Sequence, residues 1–158
     1  MVKAFARSQG YLPSEVISKT YFVDVDKYLP VISLSTEPED LWGQDSGIYV
    51  MGLDSDTVWP YFGANYWDGR QIPVHVEFFK DNILQFEQGA DMRMHGGKSA
   101  RNKAQKPLRI IGRKEYGDKY FHHKLIDQKP LHQFKKFVLR NSGGDFNEVH
   151  FRDCWIHQ

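Results

Sequence analysis

Cysteine is almost missing from this 158-residue chain, Cys154 being the single one. An internal disulfide framework and a cysteine-built zinc cluster are both excluded, while the compartment stays open. No apolar run approaches membrane-spanning length. The opening MVKAFARSQGYLPSEV turns polar within a few residues, so no signal peptide is expected as the sequence stands. Internal repeats, low-complexity tracts, the dinucleotide-binding glycine fingerprint and the Gly-x-Ser-x-Gly nucleophile elbow are all lacking. Spacing singles out no carboxylate pair for glycoside hydrolysis. One further absence is local: between Met92 and Lys114 there is no Asp or Glu.

That acid-free segment holds Arg93, Lys98, Arg101, Lys103, Lys106, Arg109, Arg113 and Lys114. It leaves 13 of the 21 basic residues to face all 20 acidic ones, so a net charge of +1 hides a basic segment on an acidic remainder. Such focusing suits a small anion better than nucleic acid, whose binding surfaces spread their basic residues more widely. A hydrophobic content of 41% is enough for one compact domain with a core, and 15% aromatics favour a β-rich chain over a disordered one.

Periodicity supports an α+β, mainly β, antiparallel fold. The first 23 residues read as two short strands around a turn at Gly10–Ser14. A strand follows near Val31–Ser35, then a loop or single helical turn in EPEDLWGQDSG, then a short strand at Gly47–Gly52. Residues 54–71 are too rich in Gly, Pro, Asp and Asn for regular structure. In IPVHVEFFK, Ile72, Val74, Val76 and Phe78 alternate with His75, Glu77 and Phe79. NILQF, ADMRMHG, PLRIIGR and KKFVLRNS continue as strands. If ADMRMHG pairs with PLRIIGR, Arg93 and Arg109 point to one side. The last segment, DFNEVHFRDCWIHQ, is the one good helix candidate, with Asp145 as cap and Glu148 completing a capping box.

The stretch HGGKSARNKAQKPLR fails the P-loop pattern, because Met92 stands where its first glycine belongs and Pro107 with a β-type run follows the Ser. Two readings remain. A Gly-Gly turn between antiparallel strands can cradle an anion through backbone dipoles, with Lys or Arg adding charge-assisted bonds, as the glycine-rich hairpin of protein kinases does. Equally, the glycines can make a tight turn whose charges keep a sheet edge soluble.

MRMHGGKSARNKAQKPLRI and FVLRNSGGDFNEVHFRD together resemble the spore-coat protein H (CotH) family of atypical, kinase-like proteins of bacteria, from about Pro30 onward. Residues 1–22 are similar to the closing strands of a chitobiase/β-hexosaminidase C-terminal-type sandwich, which makes residues 1–24 the tail of an upstream domain and residues 25–158 the N-terminal part of a CotH-like domain. The resemblance implies a kinase-like upper lobe with one C-terminal helix. Gly96, Gly97 and Ser99 would line a phosphate cradle, Lys106 would pair with phosphates, and Arg109, Arg93 and Arg101 would be further cationic contacts. Asp145, Arg152 and Asp153 match family positions on the helix, and Glu148 or Asp153 would orient Lys106. ATP and a divalent metal (magnesium) would be cofactors of the intact protein, a protein hydroxyl its acceptor, and its location secreted or at the cell surface. The family's catalytic and metal-binding aspartates lie beyond Gln158, so no turnover is expected of this chain alone. No nucleic-acid or membrane partner is implied, and surface exposed by a missing lobe would favour homo-oligomers.

Two other groupings carry alternatives. His150, Cys154 and His157 share a face of the expected terminal helix, either as a metal edge or as core and surface residues. Trp59, Tyr61, Phe62, Tyr66 and Trp67 can stack on sugar rings while the nearby carboxylates of Asp54 and Asp56 hold calcium, giving a non-catalytic secreted module that binds a glycan or partner protein, or the rings can simply pin a long loop. His122 and His123 read as ordinary strand residues.

Overall fold

The computed structural model describes residues 1–25, 29–145 and 147–149. The fold is mainly β, with two antiparallel sheets. Strands β1 (Val2–Ala4) and β2 (Ile17–Lys19) pair with each other. The second sheet holds β3 (Val31–Ser35), β4 (Ile72–Lys80), β5 (Ile83–Met94), β6 (Leu108–Gly112) and β7 (Lys136–Leu139), in that order. A single turn, α1 (Pro38–Trp42), follows β3, and a second, α2 (Lys98–Arg101), lies between β5 and β6. No helix among the described residues is long and apolar enough to cross a membrane.

The chain forms two compact units. Unit 1 comprises residues 1–35 and 75–88. Its β3–β4 pairing sets Leu34 against Val76 and Ile32 against Phe78. Val76 and Phe78 are buried on one face of β4, and Phe79 and Glu77 on the other, where Phe22 meets Phe79 edge-on at 5.0 Å. The residues between β4 and β5, Asp81 and Asn82, have φ of 52° and 65°. A type I′ hairpin turn requires that left-handed conformation, and Asp and Asn tolerate it best after glycine.

Unit 2 comprises residues 36–74 and 89–158. Alternation along β5 and β6 pairs Met92 with Ile110 and Met94 with Leu108 on a face whose Met92, Met94 and Ile110 are buried. The opposite face carries Arg93 directly across from Arg109. At β6–β7, Ile110 faces Phe137. Phe121, fully buried, stacks on Phe134 at 5.8 Å and meets Phe137 edge-on at 5.1 Å.

Three local expectations are revised. Gly47–Gly52 is not a strand, because Ile48 and Tyr49 donate their amides to the carbonyls of Asp40 and Leu41, folding the segment back on α1. NILQF and ADMRMHG are one twelve-residue strand, β5. A helical turn does follow Gly97, since Ala100 and Arg101 both donate to the Gly97 carbonyl. The segment expected to form the terminal helix lies mostly outside the described residues. Gly143–Asp145 form a 3-10 turn, and residues 147–149 a further turn. Arg152, Asp153 and the His150, Cys154 and His157 group fall outside the description.

Candidate anion site on β5 and β6

The strand period puts Arg93 and Arg109 side by side, and the turn leaving β5 brings further groups to them. Arg109 Nη2 lies 2.8 Å from His95 Nδ1. Burial lowers the His95 pKa first, and the charges of Arg109, Arg101, Arg140 and Arg93 lower it further. Four guanidinium groups thus act on one imidazole. Among the described residues, neither Arg93 nor Arg109 has a carboxylate partner, and the Nε of each is buried without a hydrogen bond. A buried donor left unsatisfied is costly, and like charges placed across a strand pair repel. Both terms favour an anion here.

Gly96 sits at φ 79°, and a Cβ there would lie 3.1 Å from Ala100 Cβ, so this position requires glycine. Gly97 has extended backbone and open space around it. Both glycines, Lys98 and Ser99 are exposed, and among the described residues the Gly96 and Gly97 amides have no hydrogen-bond partner.

Other basic residues of the segment are engaged. Arg101 fastens the turn, donating from Nε to the Gly96 carbonyl (2.7 Å) and from Nη1 to the Tyr66 carbonyl (2.9 Å). Arg113 is neutralised by Asp91 at 2.6 Å and also contacts Gln71. Lys106 donates to the Lys103 carbonyl (2.9 Å) and lies over the rings of Tyr49 and Tyr66, at 5.4 and 4.9 Å. Burial lowers its pKa, and no carboxylate among the described residues is in ion-pair range. Glu148 is exposed in the terminal turn, and Asp145 closes the 3-10 turn.

Sequence reasoning missed what fixes the basic loop from afar. Asn141, buried, donates from Nδ2 to the carbonyls of Ala100 (3.0 Å) and Gln105 (2.5 Å). Tyr49 accepts the Lys106 amide at 2.7 Å. A polar residue after an apolar strand is the one hint Asn141 leaves in the sequence.

The aromatic segment divides. Tyr66 is buried and Trp67 donates to the Pro60 carbonyl at 3.1 Å, both pinning the loop. Trp59 and Phe62 stay 55% and 47% exposed, with Lys98 Nζ 5.9 and 5.2 Å from their rings. Asp54 and Asp56 are in no three-residue metal-capable group among the described residues. His122 joins no strand and contacts Asp118 at 2.7 Å.

The chain matches no family model, no curated protein and no solved structure.

A pH effect follows from His95. Its native pKa lies below the unfolded value, so the unfolded chain takes up this proton first as pH falls. The contribution to stability is constant above the ordinary imidazole range and declines as pH drops through it. An NMR titration should show His95 protonating at lower pH than a free imidazole, and a bound anion should move that midpoint upward. A midpoint at or above the free value would contradict the cluster.

Proposed function

We propose that this chain is a phosphate-binding β-domain, taking the triphosphate of a nucleotide on Arg93 and Arg109 beside the Gly96–Gly97 turn. The observation that carries this reading is the opposed arginine pair, whose buried Nε groups make no hydrogen bond and which forms no ion pair with an acid among the described residues. Arginine suits the task because its planar fork donates two parallel bonds to phosphate oxygens. His95, Arg101, Ser99 and the exposed amides of the turn complete the surround. Lys106, held between two tyrosine faces, braces the loop rather than reaching out.

The reading extends to the chemistry implied by the resemblance to CotH-like kinases, phosphoryl transfer from ATP to a protein hydroxyl with a divalent metal in the intact protein. The metal, when bound in the intact protein, would supply positive charge to the phosphates during transfer. This segment's own residues would bind and orient the nucleotide.

Titration with ATP and magnesium, followed by amide NMR, tests the binding. Residues 95–101 should shift, and Arg93→Met with Arg109→Met should weaken binding by at least about tenfold, the loss expected when charge-assisted hydrogen bonds disappear. Unchanged affinity in the folded double variant would reject the reading. A second reading, a module binding a glycan, is favoured by the exposed rings of Trp59 and Phe62. Oligosaccharide shifting the Trp59 indole signal, with ATP shifting nothing, would select it.

A further inference from the structure

A separate group of ionisable side chains lies in unit 1, on the face of β4 opposite Val76 and Phe78. His75 and Glu77 are two apart on that strand, and Glu87 comes from β5. One ligand-capable atom from each of the three lies within 4.8 Å of the others. His75 Nε2 is 3.6 Å from Glu87 Oε2. Ligands about 2.0–2.1 Å from a tetrahedral zinc ion stand roughly 3.4 Å apart, so this edge is close to the required length.

Two features set this group apart from a solvated charge cluster. His75 Nε2 is buried and, among the described residues, has no hydrogen-bond partner within 3.5 Å, Glu87 Oε2 standing just beyond at 3.6 Å. Glu77 is 1% exposed, and among the described residues it accepts bonds from Thr20, at 2.6 Å from the hydroxyl and 3.3 Å from the amide. A buried carboxylate is costly without a counter-charge. Among the described residues a cation beside this group is Lys19, whose ammonium contacts Glu87 and whose side chain is 39% exposed. A long, partly exposed lysine can swing into water at little cost.

We propose that His75, Glu77 and Glu87 form a divalent transition-metal site, with one imidazole and two carboxylates as ligands and Lys19 as a displaceable occupant. The mixed N/O donor set favours zinc, manganese or ferrous iron over magnesium and calcium, which take oxygen ligands. Three protein ligands leave one or more positions for water or an exogenous ligand. Thr20, bonded to Ser33 at 2.6 Å as well as to Glu77, acts as the orienting group that metal-ligating carboxylates usually have.

Zinc chloride titrated into the full chain tests the site. The chain would carry Cys154→Ser and His157→Ala, so that these terminal residues contribute nothing. Calorimetry should show one zinc per chain, and the His75 Nε2 resonance should move on binding. His75→Ala should weaken binding by about tenfold or more. Lys19→Met should tighten it, because the competing ammonium is gone; a purely structural ion-pair network would gain no zinc affinity from that change. The proposal is overturned by absence of binding up to about 1 mM zinc, by unchanged affinity in His75→Ala, or by binding that leaves the His75 resonance in place. His75 is partly exposed at 29%, so its variant should fold, and circular dichroism checks that it does.

Discussion

Phe121→Ala should lower the unfolding free energy by about 3–5 kcal/mol, the range for emptying a phenylalanine site in a packed core. Phe121 is fully buried, stacked on Phe134 and edge-on to Phe137, and those two rings meet each other at 6.0 Å. Its backbone is tied to Phe134 in both directions, at 2.9 and 3.2 Å. Those bonds hold both chain segments in place and hinder collapse into the vacated space, and poor collapse gives the high end of the range. Set against a total of about 5–15 kcal/mol for a domain, the loss is large. Urea denaturation measures it, with Leu131→Ala, at an exposed site, as a control within about 0.5 kcal/mol of the parent. A loss under about 1 kcal/mol in the Phe121 variant would contradict the packing described.

Asn141→Asp should cost about 2–5 kcal/mol and loosen the basic loop. The native amide donates to two carbonyls, those of Ala100 and Gln105, and its oxygen accepts from the Gly143 amide at 3.1 Å. The carboxylate would turn an acceptor oxygen toward both carbonyls. Each buried group left unsatisfied costs about 1–3 kcal/mol, and more where a charge is involved. Asn141→Ala, which adds no charge, should cost less than Asn141→Asp, and that order is itself a test. Hydrogen exchange at Ala100 and Arg101 should accelerate in both variants, because their turn loses an anchor on the Ala100 carbonyl. If Asn141→Asp unfolds within about 0.5 kcal/mol of the parent, the amide is not the loop's fastening. Under the proposed function the same variant should weaken nucleotide binding while leaving Arg93 and Arg109 in place.

Strand existence was legible wherever one face is buried. Alternation in IPVHVEFFK locates β4 at its observed bounds, and the same period places Arg93 and Arg109 on one side of β5 and β6. The segment GIYVMG misleads because Ile48 is buried by packing on α1, and burial without a strand partner leaves an identical apolar signature. Turn α2 is four residues long, too short for a periodic pattern. The basic loop's charges are visible in the sequence, but its fastening is not. The partners of Lys106 and Ala100 come from Tyr49, 57 residues earlier, and from Asn141, 41 residues later. Glu77 shows the same limit, since a glutamate on the outer side of a strand reads as solvated until Thr20 closes over it.

Thr20 and Glu77 are 57 residues apart, and unit 1 is assembled from residues 1–35 and 75–88 with a long stretch of chain between. During synthesis at about 5–20 residues per second, the first piece emerges roughly 3–11 s before its complement. Through that interval β3 has no β4 to pair with, and Phe22 waits for Phe79. Residues 1–35 are therefore the part of unit 1 that spends longest in synthesis without the strand it packs on.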